Sequence, residues 1–289
     1  MGLINLLDAL IRTRLSANTS RGNSKAAFEG LVKAFGITDG PSGQTVNWDV
    51  VRQADVSDIF EAIKKGGLAK VKSKDIKTIL DLVYEENQAR REALLSDDRM
   101  APGEGEESEA QKQEEIKSSE ENLLTLDYLH LLETEEAFAE LIKYPGIGAK
   151  TAACVLLFNM QRPCFAVDTH VFRLCKWLGW VPPNATRDTT FSHCEVRIPD
   201  ELKYPLHWLL IDHGRSCPRC RAITGEASAG WDEGCVIEAL VKRTGARKDG
   251  SSKKKKSTPV KGAKKRKAAE IEDEEDDSEL SDWKSEDGE

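Results

Sequence analysis

Residues 141–153 read Leu-Ile-Lys-Tyr-Pro-Gly-Ile-Gly-Ala-Lys-Thr-Ala-Ala, and this stretch restricts the fold more than any other. Pro145 cannot continue a helix, because it lacks an N–H and its ring collides with the preceding turn. Gly146 and Gly148 are expected to allow backbone angles that other residues resist. From Ala149 or Lys150 the pattern turns helical again, through Thr-Ala-Ala-Cys-Val-Leu-Leu-Phe. The stretch therefore predicts helix, tight hairpin, helix. Backbone N–H groups exposed at such a hairpin and helix start can hold a phosphate oxygen. Lys150 falls in the second helix's first turn. Asp168 follows eighteen residues later, where Val-Asp-Thr-His marks another helix start. A phosphate-holding hairpin, an amine and a carboxylate in this order point to chemistry on DNA.

The rest of the chain is also read as helical. Leu3, Leu6, Leu7, Leu10 and Ile11 recur at helical spacing, as do Ala26, Ala27, Leu31, Val32 and Phe35, with Gly36 closing that helix. Further helices are expected over 50–54, 56–63, 73–92, 124–132 and 135–143, and a buried helical stretch over 206–211. Gly66–Gly67 marks a turn and Asp39–Gly43 a loop. No segment shows the alternation of a half-buried strand, so the fold class is all-α. Residues 96–122 are rich in Gly, Ser and Glu and nearly free of apolar residues, which predicts a disordered acidic insertion. The expected organisation is one domain over 1–247 and a disordered tail over 248–289.

Charge is unevenly placed. The net charge is −8, yet residues 97–122 hold ten acids against three bases, and residues 270–289 hold twelve acids against one base. Residues 253–267 hold nine bases and no acid. Without these segments the chain lies within about one charge of neutral, so local patches must attract DNA. No run of about 18 apolar residues is present, so no membrane span is expected. The first residues are too acidic and amphipathic for a signal peptide. Seven cysteines without a regular pairing pattern suggest thiols or metal ligands in a reducing compartment.

Four ordered segments carry a resemblance. Pro-Gly-Ile-Gly-Ala-Lys-Thr-Ala-Ala followed by Val-Asp-Thr-His resembles the helix-hairpin-helix (HhH-GPD) DNA glycosylases of the endonuclease III type, down to the Lys150-to-Asp168 spacing. Leu15-Ser-Ala-Asn-Thr-Ser20 resembles the family's Leu-Ser-Ala-Gln-Thr loop, and His213-Gly-Arg215 followed by Cys217 resembles the lead-in to its cluster loop. The likeness covers roughly residues 3–95 and 123–240. It implies a two-lobed fold in which one lobe carries the hairpin and the other is built from the chain's two ends. The first helix matches the family's second, so the helix that precedes it in the family is expected to be missing.

The resemblance implies base-excision repair by a glycosylase with AP lyase activity, acting on damaged bases, oxidised pyrimidines first among them. Lys150 would be the nucleophile. Lysine is almost wholly charged at neutral pH, and only the neutral amine can attack the sugar C1′ and form a Schiff base. Asp168 would cap its helix and face charge developing at the sugar. Gly146, Ile147, Gly148 and Thr151 would contact the DNA backbone, and His170 would lie beside the DNA or pack within the protein. Asn18 stands where the family has a glutamine that helps fill the gap left by a flipped base. Two alternatives stay open: a monofunctional enzyme using an Asp-activated water, and a non-catalytic DNA-binding module.

The cysteines depart from the family. Cys217, Cys220 and Cys235 give C-x2-C-x14-C, where the family's cluster loop has four cysteines spaced C-x6-C-x2-C-x5-C. Residues 213–240 thus read as a degenerate cluster loop, with Cys194 or His213 as candidate fourth ligand. A 4Fe–4S cluster, zinc, or no metal are all compatible with three cysteines. Cys154, Cys164 and Cys175 sit among apolar residues and are expected as buried thiols. In the tail, Lys253–Lys256 and Lys264–Lys267 resemble a bipartite nuclear localisation signal. This implies a nuclear import receptor as partner and the nucleus as location. Double-stranded DNA with damaged bases or abasic sites is the main expected partner, and a monomer the expected state.

Overall fold

The structure is a computed structural model that describes residues 5–40, 43–96, 113, 116 and 122–243. The acidic insertion expected over 96–122 lies almost wholly outside the described residues, and the tail over 248–289 lies entirely outside them. The described residues form two compact units, one running to Ala166 and the other starting at Val167.

The first unit opens with α1 (Leu6–Ser16), capped by the Asn5 side chain, which accepts the Asp8 N–H at 2.9 Å. Leu6, Leu7, Leu10, Ile11 and Leu15 are fully buried. The helix is buried on nearly all sides, not on one face alone, so its polar residues need internal partners. Asp8 accepts the Thr45 hydroxyl at 2.8 Å, and Thr45 in turn accepts the Trp48 indole N–H at 3.0 Å. α2 (Arg21–Phe35) ends at Gly36, whose φ of 76° sits in the left-handed region that favours glycine.

Here the structure departs from the all-helical reading. Ile37–Gly40 (β1) and Gly43–Val46 (β2) form an antiparallel ribbon with Ile37 opposite Val46. Asp39–Gly43, expected as a loop, is thus mostly ribbon. Its four-residue strands are too short to show a period, and the Thr45–Asp8 bond, a tertiary contact, ties β2 to α1. The architecture remains helical: α3 (Trp48–Gln53), α4 (Val56–Ile63) and the 28-residue α5 (Ala69–Ser96) follow. Ile59, Ile63, Ile76, Ile79 and Leu80 fill the core between α4 and α5.

After the insertion, Asn87 on α5 donates to the carbonyls of Leu123 and Thr125, both at 2.7 Å, and so fixes the returning chain. Residues 124–132 do not form the expected helix. They make a short 3-10 turn, Asp127–His130, before α6 (Thr134–Leu141). α7 (Ala149–Cys154) continues as a π-helical turn, Val155–Asn159. α1 packs on both. The beginning of the described chain therefore packs with the hairpin in the first unit.

The second unit holds α8 (Thr169–Trp177), α9 (Arg187–Arg197) and α10 (Asp200–Ser216). α9 begins with a capping box between Thr186 and Thr189. Beyond Ser216 the described chain has one 3-10 turn, Trp231–Glu233, and otherwise irregular backbone. No described helix is long and apolar enough to cross a membrane.

Candidate functional site

The hairpin in the first unit is built from its two breakers. Pro145 ends the run after α6, and the Ile147 N–H donates to the Tyr144 carbonyl at 3.1 Å to close the turn. Gly146 is required twice. Its φ is 74°, and a Cβ there would stand 2.2 Å from Arg14 Nε and 2.7 Å from Asp75 Oδ2. Those two side chains form an ion pair between α1 and α5, with Nη2–Oδ2 at 2.5 Å and Nε–Oδ2 at 3.0 Å. The turn therefore rests its bare α-carbon on a pair formed by a buried guanidinium and a half-buried carboxylate. Ile147 is buried and anchors the turn, while the Tyr144 hydroxyl donates to Glu86 on α5 at 2.7 Å. Burial, first, and the neighbouring Tyr128 and Glu86 keep the Tyr144 phenol protonated.

Gly148 differs from the expectation. Its φ of −96° and ψ of 179° are ordinary extended backbone, and no atom lies within 4 Å of an added Cβ. Neither conformation nor packing demands glycine here. What its absent side chain leaves is open space at the start of α7. Lys150 sits in the first turn of that helix, half-buried, and Thr151 beside it is buried.

Asn18 lies in the loop between α1 and α2, exposed, with φ 51°. Asparagine tolerates this left-handed conformation better than most residues. Beneath the loop is a group that sequence reasoning missed. Lys72 of α5 is fully buried and donates to the carbonyls of Leu15 at 2.7 Å and Gly66 at 3.2 Å. It ties off the end of α1 where the Asn18 loop begins. Its neighbours in sequence are a lysine-rich stretch, so only the fold distinguishes it.

In the second unit, Asp168 is the N-cap of α8, its Oδ1 accepting the Val171 N–H at 2.7 Å. This fixes the carboxylate at the helix start, as the sequence predicts. His170 points inward. It is buried against Gly214 of α10, where an added Cβ would meet the His170 Cβ at 2.9 Å. Its Nδ1 lies 3.1 Å from Arg173 Nη2, and burial pushes its pKa below the usual imidazole value.

Arg173 links α8 to the cysteine loop. Its Nη2 donates to the carbonyls of Gly214 and Cys220, both at 3.0 Å. The Lys242 N–H donates to the Trp177 carbonyl at 2.7 Å, a second tie to the same helix. The loop folds Cys217, Cys220 and Cys235 together with His213, so that one ligand atom from each lies within 4.8 Å of the others. Cys220 Sγ and Cys235 Sγ are 3.6 Å apart, and Cys235 Sγ is 3.4 Å from His213 Nε2. Burial pushes the His213 pKa below the usual imidazole value and the Cys220 thiol up to about 12. Cys194, the other candidate fourth ligand, is not in this group. It shares a hydrogen bond with Cys175, which raises the Cys175 thiol and lowers that of Cys194. Cys154, Cys164 and Cys175 are buried free thiols, as expected.

Residues 11–200 match the sequence model described as the HhH-GPD superfamily base excision DNA repair protein. An Arabidopsis thaliana protein assigned as a candidate DNA glycosylase is 36% identical over 217 residues, which is 75% of this chain and 59% of that protein. Endonuclease III of Escherichia coli is 38% identical over 116 residues, covering 38% of this chain and 49% of the enzyme. The chain thus spans about half the length of these relatives. Among solved structures, an endonuclease III bound non-covalently to DNA superposes with a TM-score of 0.53 at 20% identity, over 83% of this chain and 84% of that one. A Clostridium acetobutylicum 8-oxoguanine glycosylase/lyase with double-stranded DNA gives a TM-score of 0.51 at 19% identity, over 73% and 60%. These likenesses show a shared fold. With the hairpin, the Lys150-to-Asp168 order and a family match across two thirds of its length, the chain belongs to the HhH-GPD superfamily of base excision DNA repair proteins.

Proposed function

We propose that the chain is a DNA glycosylase with an AP lyase step, acting on oxidised pyrimidines in double-stranded DNA. Lys150 is the nucleophile and Asp168 its charge-stabilising partner. In its neutral form the Lys150 amine bonds to C1′ of the damaged nucleotide. The bond from C1′ to the base breaks, and the base departs with the electron pair and takes up a proton. The C1′–O4′ bond then opens, with a proton passing to O4′, and an iminium forms between Nζ and C1′. Loss of a C2′ proton expels the 3′ phosphate and nicks the strand 3′ to the lesion. Water finally releases Lys150. The Asp168 carboxylate, held rigid by its cap, offers negative charge to the cationic sugar and a place for the shuttled proton. Its preorganisation is what makes such a charge effective.

The observation that supports this reading most is the local setting of Lys150. It lies two residues after a glycine, Gly148, that neither backbone angle nor packing requires, on a hairpin fixed from below by the Arg14–Asp75 pair. A backbone cleared of side chains at a helix start suits close approach by a phosphate, which would bring the sugar of a neighbouring nucleotide towards the amine. Asn18, exposed on its tied-off loop, is proposed to fill the space of the extruded base. No step uses the cysteine loop, which acts on α8 only by holding it.

The test uses single-turnover reactions on duplexes carrying one oxidised pyrimidine. Base release and strand nicking are followed separately. Nicking coupled to release, and lost in Lys150→Gln, supports the reading. Release without nicking in the unaltered protein would favour the water-using monofunctional route. DNA binding without either would favour a non-catalytic module.

A further inference from the structure

The geometry points to a single tetrahedral zinc ion held by His213, Cys217, Cys220 and Cys235, in place of the 4Fe–4S cluster that the family resemblance implies. The two alternatives differ in how far apart their ligand atoms must be. Around one zinc, bonds of about 2.3 Å to sulfur and about 2.0–2.1 Å to nitrogen at tetrahedral angles put sulfurs about 3.8 Å apart and nitrogen about 3.5 Å from sulfur. The corresponding separations here are 3.6 Å for Cys220 to Cys235 and 3.4 Å for Cys235 to His213. All four ligand atoms lie within 4.8 Å of one another. A four-iron cluster instead gives each ligand its own iron at a separate corner, which spreads the ligands well beyond one ion's shell. The set here closes on a point too small to enclose a cube of irons and sulfides.

The donors agree with the spacing. Three thiolates and one imidazole form a standard structural zinc set, and C-x2-C is the usual spacing for two of its ligands. Soft thiolates also argue against calcium or magnesium. The backbone presents them in two rigid pieces. His213 and Cys217 are four apart at the end of α10, on one helical face, with the Cys217 N–H donating to the His213 carbonyl at 3.1 Å. From Cys217 the chain turns tightly, the N–H groups of Cys220 and Arg221 both donating to the Cys217 carbonyl at 3.1 and 3.0 Å. Cys235 closes the set from the loop. None of these cysteines is in a disulfide.

The surroundings match the charge. Three thiolates around a dication leave one net negative charge. Arg243, its side chain 7% exposed, places Nη2 3.4 Å from Cys220 Sγ. Glu238 orients that guanidinium through bonds of 2.6 and 3.0 Å, and Arg219 lies 3.3 Å from Glu238. Such outer partners orient metal ligands and balance their charge. The ion's task would be structural. It would staple a segment with almost no regular secondary structure to α10, and through Arg173 to α8, the helix that Asp168 caps.

The experiment is metal analysis of the full chain purified without oxygen from cells supplied with both iron and zinc. The expected result is about one zinc per chain, no acid-labile sulfide, and no absorption near the blue edge of the visible spectrum. Cobalt(II) added to metal-stripped protein should give the intense bands of a tetrahedral thiolate site. His213→Ala should weaken cobalt affinity at least tenfold. His213→Cys, which restores a four-ligand zinc shell, should keep zinc and the wild-type melting temperature. Four irons with matching sulfide, taken up in the cell or on reconstitution, would overturn the assignment. So would a protein that folds and melts alike with and without metal, or His213→Ala with unchanged cobalt affinity.

Discussion

Gly146 and Gly148 occupy similar places in the sequence motif but different ones in the structure, and this separates stability from binding. Gly146→Ala forces a side chain into φ 74°, which costs about 1–2 kcal/mol for a non-glycine residue. Its Cβ would also lie 2.2 Å from Arg14 Nε and 2.7 Å from Asp75 Oδ2, so the ion pair must move. Breaking a fully buried pair costs about 3–5 kcal/mol, and displacing this partly buried one costs less. A loss of about 2–4 kcal/mol in all is therefore expected. Gly148→Ala meets no atom within 4 Å at an ordinary φ. There the poorer N-cap is offset by a less flexible unfolded chain, leaving a change within about 0.5 kcal/mol. Urea unfolding followed by tryptophan fluorescence should show Gly146→Ala markedly destabilised and Gly148→Ala near wild type. Anisotropy with an abasic-site duplex should nonetheless show weaker binding in Gly148→Ala, equally for every lesion, if the hairpin meets the backbone and not the base as proposed. Equal destabilisation by the two substitutions would refute the structural reasoning. Wild-type DNA affinity in Gly148→Ala would refute the role given to the open space.

Three further outcomes are expected. Gly214→Ala presses on His170, with contacts from 2.9 to 3.2 Å, and should destabilise the fold by about 1–3 kcal/mol as overpacking does, seen as a lower melting temperature by circular dichroism. Because burial lowers the His170 pKa, the unfolded chain takes up its proton first as pH falls below about 6.5, so stability should decline through that range and His170→Gln should flatten the decline in urea titrations at several pH values. Deleting residues 248–289, which carry the basic runs, should leave base release intact and abolish nuclear accumulation of a fluorescent fusion; unchanged accumulation would remove the localisation proposal.

The hairpin was legible because proline and glycine act locally: Pro145 stops a helix whatever surrounds it. The Asp168 cap was legible for the same reason, since a short acidic side chain before a helical run satisfies its first N–H groups. The gathering of the three cysteines followed from their chemistry, although the choice of His213 over Cys194 needed the fold. Other features depend on distant contacts. Lys72 looks like any lysine on α5 until the carbonyls of Leu15 and Gly66 are seen to close on it. The ribbon at residues 37–46 has too few residues to show a period. The helix Arg187–Arg197 carries Arg-Asp-Thr-Thr-Phe-Ser-His-Cys-Glu-Val-Arg, with no apolar stripe, and is set by its capping box and by burial of Thr190 and Cys194. The motif reads as requiring glycine at 148 for its backbone, yet in the fold that backbone is ordinary.

The central claim is that Lys150 forms a covalent bond to the sugar of damaged DNA. Sodium borohydride reduces an iminium to a stable amine, so protein incubated with abasic-site duplex and borohydride should give a band of protein and DNA combined, resistant to denaturation. Peptide mapping should place the DNA on Lys150, and Lys150→Gln should bind the duplex normally yet give no adduct. An undiminished adduct in Lys150→Gln, or none from unaltered protein that binds the duplex, would contradict the account.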